Sequence, residues 1–316
     1  MTSHQPPSSA RPVAASAPLR PEAGPLRDAR PDPTIARPAD LPRPSRTTGA
    51  DPAASGKFYP WLWGVSQLAR LRNRLGRPTR FIGAFPTREA ALASLPAGRR
   101  AGYDTPDIAE AGFAAMSRVI LWDYPVLHWL ARLAGPGSAV LDAGGHMGTK
   151  YIAFAEHLDL APLDWTVYDR PGIVAAARAA QAGGRVPARL RFTDTLPLPG
   201  GRGPDILLGS GLLQYIDRPL PALVAEIGAP PRHILLNKVA TREGADIVTL
   251  ERVGGARVPY TIRNRIRFEA EIAAMGYRIR DRWEIPALSH AIPTHLHLGR
   301  SVSRGSISPI PPRFSR

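Results

Sequence analysis

The sequence predicts an α/β fold, a doubly wound, mostly parallel sheet of seven strands with a helical N-terminal extension and disordered termini. Two observations predict it. From Gly137 onward, short apolar runs alternate with helix-like stretches, with Gly and Pro at the joints. Within that region Val140 to Gly148 (VLDAGGHMG) is an apolar run that ends in an acid and turns through glycines into a helix.

Residues 1–56 are dense in Pro, Ala, Ser and Arg, with no apolar period able to close a core, and read as a disordered tail. Residues 57–135 read as a helical extension. It begins with a basic amphipathic helix in which Trp61, Leu62, Val65, Leu68, Leu71 and Leu75 recur at helical spacing. That helix either docks on the domain that follows or lies on an anionic membrane surface with Trp61 and Trp63 at the headgroups. Two more helices are expected, Arg88 to Leu95 after a Thr87 cap and Thr105 to Leu133 with a break at Pro125.

Residues 136–300 carry the sheet. Its strands are expected at Ala139 to Leu141, Trp165 to Tyr168, Leu190 to Phe192, Asp205 to Leu208, His233 to Leu236, Tyr277 to Trp283 and Thr294 to Leu298. Helices are expected at Gly148 to His157, Gly172 to Ala180, Pro219 to Ile227 and Arg267 to Met275, and residues 301–316 read as a second tail. No secretory signal and no run of about 20 apolar residues is present, so the expectation is a cytoplasmic protein, either soluble throughout or in peripheral contact with the inner membrane surface through residues 57–80.

Composition narrows the chemistry. The absence of cysteine excludes disulfides, thiolate zinc sites and cysteine nucleophiles. The net charge of +15 raises nucleic acid as a partner, yet residues 136–300 hold only +4 of it. The abundance of Arg, Ala and Pro reads more simply as the mark of a GC-rich genome.

The glycine turn is the strongest local signal. Gly144, Gly145 and Gly148 permit close approach of a nucleoside, at the carboxyl end of a first strand where such sheets bind ligands. A dinucleotide fingerprint would need glycine at position 143, which is Ala143. An acid, Asp142, stands before the turn instead. It suits the amino acid end of S-adenosylmethionine, which has no phosphate to place. Asp169 ends the second strand, within reach of ribose hydroxyls, and Asp194 follows the third, where it either meets an adenine amino group or caps a turn. After the fourth strand Ser210, Gly211, Gln214 and Tyr215 reach the edge where acceptor and cofactor would meet. Tyr215, His146 and Lys238 are the candidate bases, each with a structural alternative: closing the adenine pocket, bonding loop backbone, and a solvated strand end. His295 and His297 alternate at the end of the sheet; without a third ligand they read as hydrogen-bonded histidines, with His290 nearby, rather than as a metal site.

These motifs carry a resemblance. The chain resembles a family of bacterial class I methyltransferase-like proteins, of Rossmann-like fold, marked by GYD, LDxGG, an acid followed by PxIV, and SGxLQYI. Here they are Gly102-Tyr103-Asp104, Leu141 to Gly145, Asp169 with Pro171 to Val174, and Ser210 to Ile216. Asn237-Lys238, Val258 to Tyr260 and Gly276-Tyr277 complete the match, which runs from Phe81 to Leu298. Asp169 departs from the family's Glu by one methylene. The resemblance implies an S-adenosylmethionine-dependent transferase of surface polysaccharide or related metabolism, with a small-molecule or glycan-linked acceptor. Two other readings stand beside it: RNA methylation, motivated by the basic helix but lacking an NPPY-like motif or RNA-binding module, and a binding or scaffold protein on a methyltransferase fold.

Overall fold

A computed structural model of the chain describes residues 60–76, 79–96, 112–198, 203–253 and 256–310. The expected tail at 1–56, the GYD motif, the helix start at Thr105 and residues 311–316 lie outside the described residues.

The chain opens with α1 (Pro60–Arg74), β1 (Phe81–Phe85) and α2 (Arg88–Ala93), the last capped by Thr87, whose hydroxyl accepts from Ala90 N–H. A short α3 (Phe113–Met116) and a 3-10 turn at Leu121–Asp123 lead into α4 (Tyr124–Leu133). Pro125 does not break this helix; it stands in its first turn, where a missing N–H costs nothing. Then come β2 (Ala139–Ala143), α5 (Thr149–Phe154), β3 (Asp164–Tyr168), α6 (Pro171–Ala182) and β4 (Arg191–Thr193). The second half runs through β5 (Ile206–Ser210), α7 (Leu220–Glu226), β6 (His233–Arg242), β7 (Ile247–Val253), β8 (Ala256–Asn264) and α8 (Arg265–Ala274). It ends with β9 (Asp281–Ala291), a 3-10 turn at Pro293–Leu298 and β10 (Arg300–Pro309).

Strands β4, β3, β2, β5 and β6 lie side by side in that order, all parallel, and β10 and β9 extend the sheet beyond β6 as antiparallel neighbours. Strand order therefore reverses between β2 and β5, which opens a crevice at their carboxyl ends. Period-two alternation splits the core between the two faces. Val140, Trp165, Val167, Ile206, Leu208 and Leu235 pack with α4, α5 and α6, whereas Leu141, Leu207, Ile234 and Leu236 pack with α7 and α8. A second, antiparallel set, β1-β7-β8, joins the main sheet where Thr241 and Arg242 of β6 pair with Arg263 and Asn264 of β8.

Three expectations for the C-terminal region are corrected. Thr294 to Leu298 is a 3-10 turn begun by Pro293, not a strand, so His295 and His297 do not share a strand face. The strand expected at Tyr277 to Trp283 starts later, at Asp281. The last strand, β10, lies where the second tail was expected. Its apolar signal is weak because, beside the core residue Ile307, four of its buried side chains are Ser301, Ser303, Ser306 and Ser308; the first two hydroxyls donate to carbonyls of His290 and Leu288. α1 docks, one of its two expected readings, but on a different face from most of the apolar stripe. It docks through Leu62, Ser66 and Ala69, with Ser66 Oγ accepting from Leu296 N–H at 3.2 Å, and leaves Trp61, Trp63, Val65, Leu68, Leu71 and Leu75 exposed. Among the described residues no helix is long and apolar enough to cross a membrane.

Candidate functional site

The crevice gathers most of the polar side chains that the sequence singled out, but not Asp194 or Tyr215. β2 ends in Asp142 and Ala143, and the chain turns through Gly144 and Gly148, both with positive φ (71° and 77°), into α5. Packing fixes these glycines. A Cβ at Gly144 would meet Leu212 at 2.7 Å, one at Gly145 the Asp142 carboxylate at 2.5 Å, and one at Gly148 Leu190 at 2.5 Å. The turn therefore sits down tightly on its own neighbours, and this closeness, as much as any ligand, demands glycine there.

Asp142 is fully buried, and neither carboxylate oxygen has a hydrogen-bond partner. Burial pushes its pKa up to about 7, partly opposed by Trp165 and Lys150. Asp169, one residue past β3, is tied to the same turn: Oδ2 accepts from His146 N–H and Oδ1 from Arg170 N–H, each at 2.8 Å. Burial raises its pKa against those two bonds. Ser210 Oγ and Gln214 Oε1, at and after the end of β5, are buried without hydrogen-bond partners. Asp194, by contrast, is exposed beyond β4.

Two of the candidate bases share a backbone property. His146 (φ 57°) and Lys238 (φ 60°) are the non-glycine residues with left-handed backbone among the described residues, a conformation that costs energy and clusters at functional sites. Lys238 lies in a β-bulge. Between Leu236 and Val239, β6 has two residues where β10 has only Gly305 between Ser306 and Arg304. β6 parts from β5 at the preceding residue, Asn237, and the Lys238 ammonium comes near Gly211 and Gln214. Burial, then the neighbouring Lys150, bring its pKa down to about 8. Tyr215 points elsewhere: its hydroxyl donates to Glu251 Oε2 on β7 at 2.7 Å.

Sequence reasoning missed the pair that braces this edge. Lys150 Nζ and Asp123 Oδ2 form an ion pair of 2.7 Å, almost wholly buried. Asn237 donates to the Trp122 carbonyl and accepts from Trp283 Nε1, each at 3.0 Å, which ties β6 and β9 to the turn before α4. Lys150 carried a usable signal, a lysine in the first turn of a helix otherwise apolar, whereas Asp123 lies far away in sequence.

No family model and no curated protein matches the chain. Solved structures do. A Burkholderia thailandensis 1,6-didemethyltoxoflavin-N1-methyltransferase, solved with 1,6-didemethyltoxoflavin and S-adenosylhomocysteine, is 21% identical over 62% of this chain and 78% of its own, at a TM-score of 0.38. The glycopeptide N-methyltransferase MtfA, solved with S-adenosylhomocysteine, is 14% identical over 72% of this chain and 100% of its own, at 0.44. The 4+2 cyclase SpnF is 15% identical over 74% and 99%, at 0.45. At TM-scores below 0.5 these likenesses carry no argument here. The chain's own strand order, five parallel strands that reverse between β2 and β5 and an antiparallel strand set between β6 and β9, is that of a Rossmann-like doubly wound sheet.

Proposed function

We propose that the chain is an S-adenosylmethionine-dependent methyltransferase acting on a small-molecule or glycan-linked acceptor. One observation carries this reading: unpartnered buried acceptors, Asp142, Ser210 and Gln214, gather where strand order reverses, beside a glycine turn that Asp169 holds. Buried polar groups without partners are costly, and these suit a ligand rich in N–H and O–H donors. Asp142 would hold the cofactor's amino group, and the spare lone pairs of Asp169 would take ribose hydroxyls. Gly144, Gly145 and Gly148 shape the turn, and Ser210 and Gln214 close the other side.

When bound, the cofactor supplies a methyl group on a sulfonium. The chain's own task is then to align an acceptor and take its proton. Lys238 fits that task best, since burial leaves a large share of it neutral near pH 8. His146 is the second candidate. Tyr215 is the weakest, because its hydroxyl is engaged by Glu251. The test is calorimetric titration of the full chain with S-adenosylmethionine and S-adenosylhomocysteine, beside Asp169→Ala. Micromolar binding that the variant loses supports the reading; a folded protein that binds neither overturns it, and binding without turnover on any acceptor favours a scaffold.

The partner proposed for α1 is an anionic lipid surface. Trp61, Val65, Leu68, Leu71 and Leu75 form an exposed apolar stripe, accompanied by exposed Arg70, Arg72 and Arg74. Cosedimentation with phosphatidylserine vesicles, absent with phosphatidylcholine alone and reduced by Trp61→Ser with Leu68→Ser, is expected. Dimers on gel filtration that the same variant dissolves would assign the stripe to a second copy instead.

A further inference from the structure

An open cleft of about 260 Å³ lies away from the glycine turn, lined by the loop after β5, α2, the β7–β8 hairpin and the first turns of α8. Arg263 of β8 lines it and is 8% exposed. Its Nη1 is buried without a hydrogen-bond partner, and among the described residues no carboxylate comes within ion-pair distance of it. The other guanidinium groups in the wall are engaged. Arg88 pairs with Asp217 at 3.2 Å and donates to the carbonyls of Tyr215 and Pro259; Arg267 pairs with Asp246, and Arg218 with Glu226.

A buried guanidinium nitrogen without a hydrogen-bond partner is expensive for a fold, and among the described residues Asp246 and Glu271 offset the Arg263 charge only from beyond ion-pair distance. We propose that the cavity binds a small monocarboxylate, received by the Arg263 guanidinium. A planar guanidinium matches a carboxylate with two parallel hydrogen bonds. The charge of the wall selects a single negative charge. Arg88, Arg218, Arg263 and Arg267 are balanced there by Glu89, Asp217, Asp246 and Glu271, so a dianion such as phosphate meets acids as well as bases. The volume sets the size, since it falls just below the range of about 300–1,000 Å³ typical of drug-sized ligands. The loop that forms one wall, Ile216 to Pro219, continues directly from Gln214, so this cavity and the crevice share one connecting segment. The carboxylate site stands independently of cofactor binding.

The test is titration of the full chain with acetate and benzoate, with benzamide as the neutral counterpart and inorganic phosphate as the competing anion. Saturable binding of a carboxylate is expected, weaker by about tenfold in Arg263→Lys, which keeps charge but loses the two-pronged geometry, and lost in Arg263→Met. Thermal unfolding of both variants checks that they fold; if Arg263→Met does not, Arg263→Lys decides. Absence of carboxylate binding overturns the proposal, as does equal binding of benzamide, tighter binding of phosphate, or affinity unchanged in both variants.

Discussion

Two buried cations sit in the molecule under opposite conditions. Lys150, at the carboxyl edge of β2, has Asp123 at 2.7 Å, and that pair is roofed by Asn237 and the turn before α4. Arg263, in the wall of the β7–β8 cavity, has among the described residues no carboxylate within ion-pair distance and leaves Nη1 without a hydrogen-bond partner. The first is satisfied from within the chain and reads as architecture. The second is left open and reads as a place for a ligand. Burial alone does not separate structure from function; the presence of an internal partner does.

Asp123→Ala is the most damaging way to probe this contrast, since it strands Lys150 in the interior. A loss of about 3–5 kcal/mol in urea unfolding is expected, and a loss under about 1 kcal/mol would mean that the pair is not a brace. Asp142→Asn comes next. In the native chain the Asp142 pKa is raised from 3.8 to about 7, so the folded state holds a proton that the unfolded state has released between those values. Stability contributed by the protonated form is fully present below pH 4 and falls as pH rises towards 7. Urea midpoints for the wild type should therefore decline across that window relative to Asp142→Asn; parallel profiles would show the carboxylate to be solvated. A smaller effect is expected for Tyr215→Phe, which removes one hydrogen bond to the buried Glu251. About 1–2 kcal/mol should be lost with turnover preserved, and a collapse of kcat with stability intact would make Tyr215 the base after all. Arg263→Met should change stability least, or raise it, because no internal partner is lost; a drop comparable to that of Asp123→Ala would erase the contrast.

The parallel half of the fold was readable because its central strands β2 and β5 are apolar runs bounded by Gly or Pro and buried on both faces, as Ile206 to Gly209 illustrates. The antiparallel half was not, for two different reasons. β10 buries four serines, of which Ser301 and Ser303 bond to neighbouring carbonyls, so hydropathy points the wrong way. β7 and β8 did carry a signal, two alternating runs, Ile247 to Val253 and Ala256 to Ile262, joined by Gly254-Gly255, which is hairpin chemistry. At the site, residues lying next to the glycine turn or at strand ends were legible: Asp142, Asp169, Ser210 and Gln214. Asp123 and Arg263 were not, because one acts from the extension and the other from the added hairpin, and only tertiary contact gives either a meaning.

The bulge at Lys238 also constrains how this chain can vary in length. Ile234 and Leu236 pack against the α7–α8 side, and Val239 packs there too, although an uninterrupted strand would aim it at the opposite layer. The extra residue thus resets parity halfway along β6. Removal of the one extra residue would leave Val239 two places after Leu236 and so keep its face in a regular strand, whereas removal of two would exchange inside and outside for everything up to Arg242, including the short pairing that attaches the β7–β8 hairpin. Loss of a single residue here should therefore keep the faces at the expense of the bulge, while a paired deletion should turn the inward side chains out.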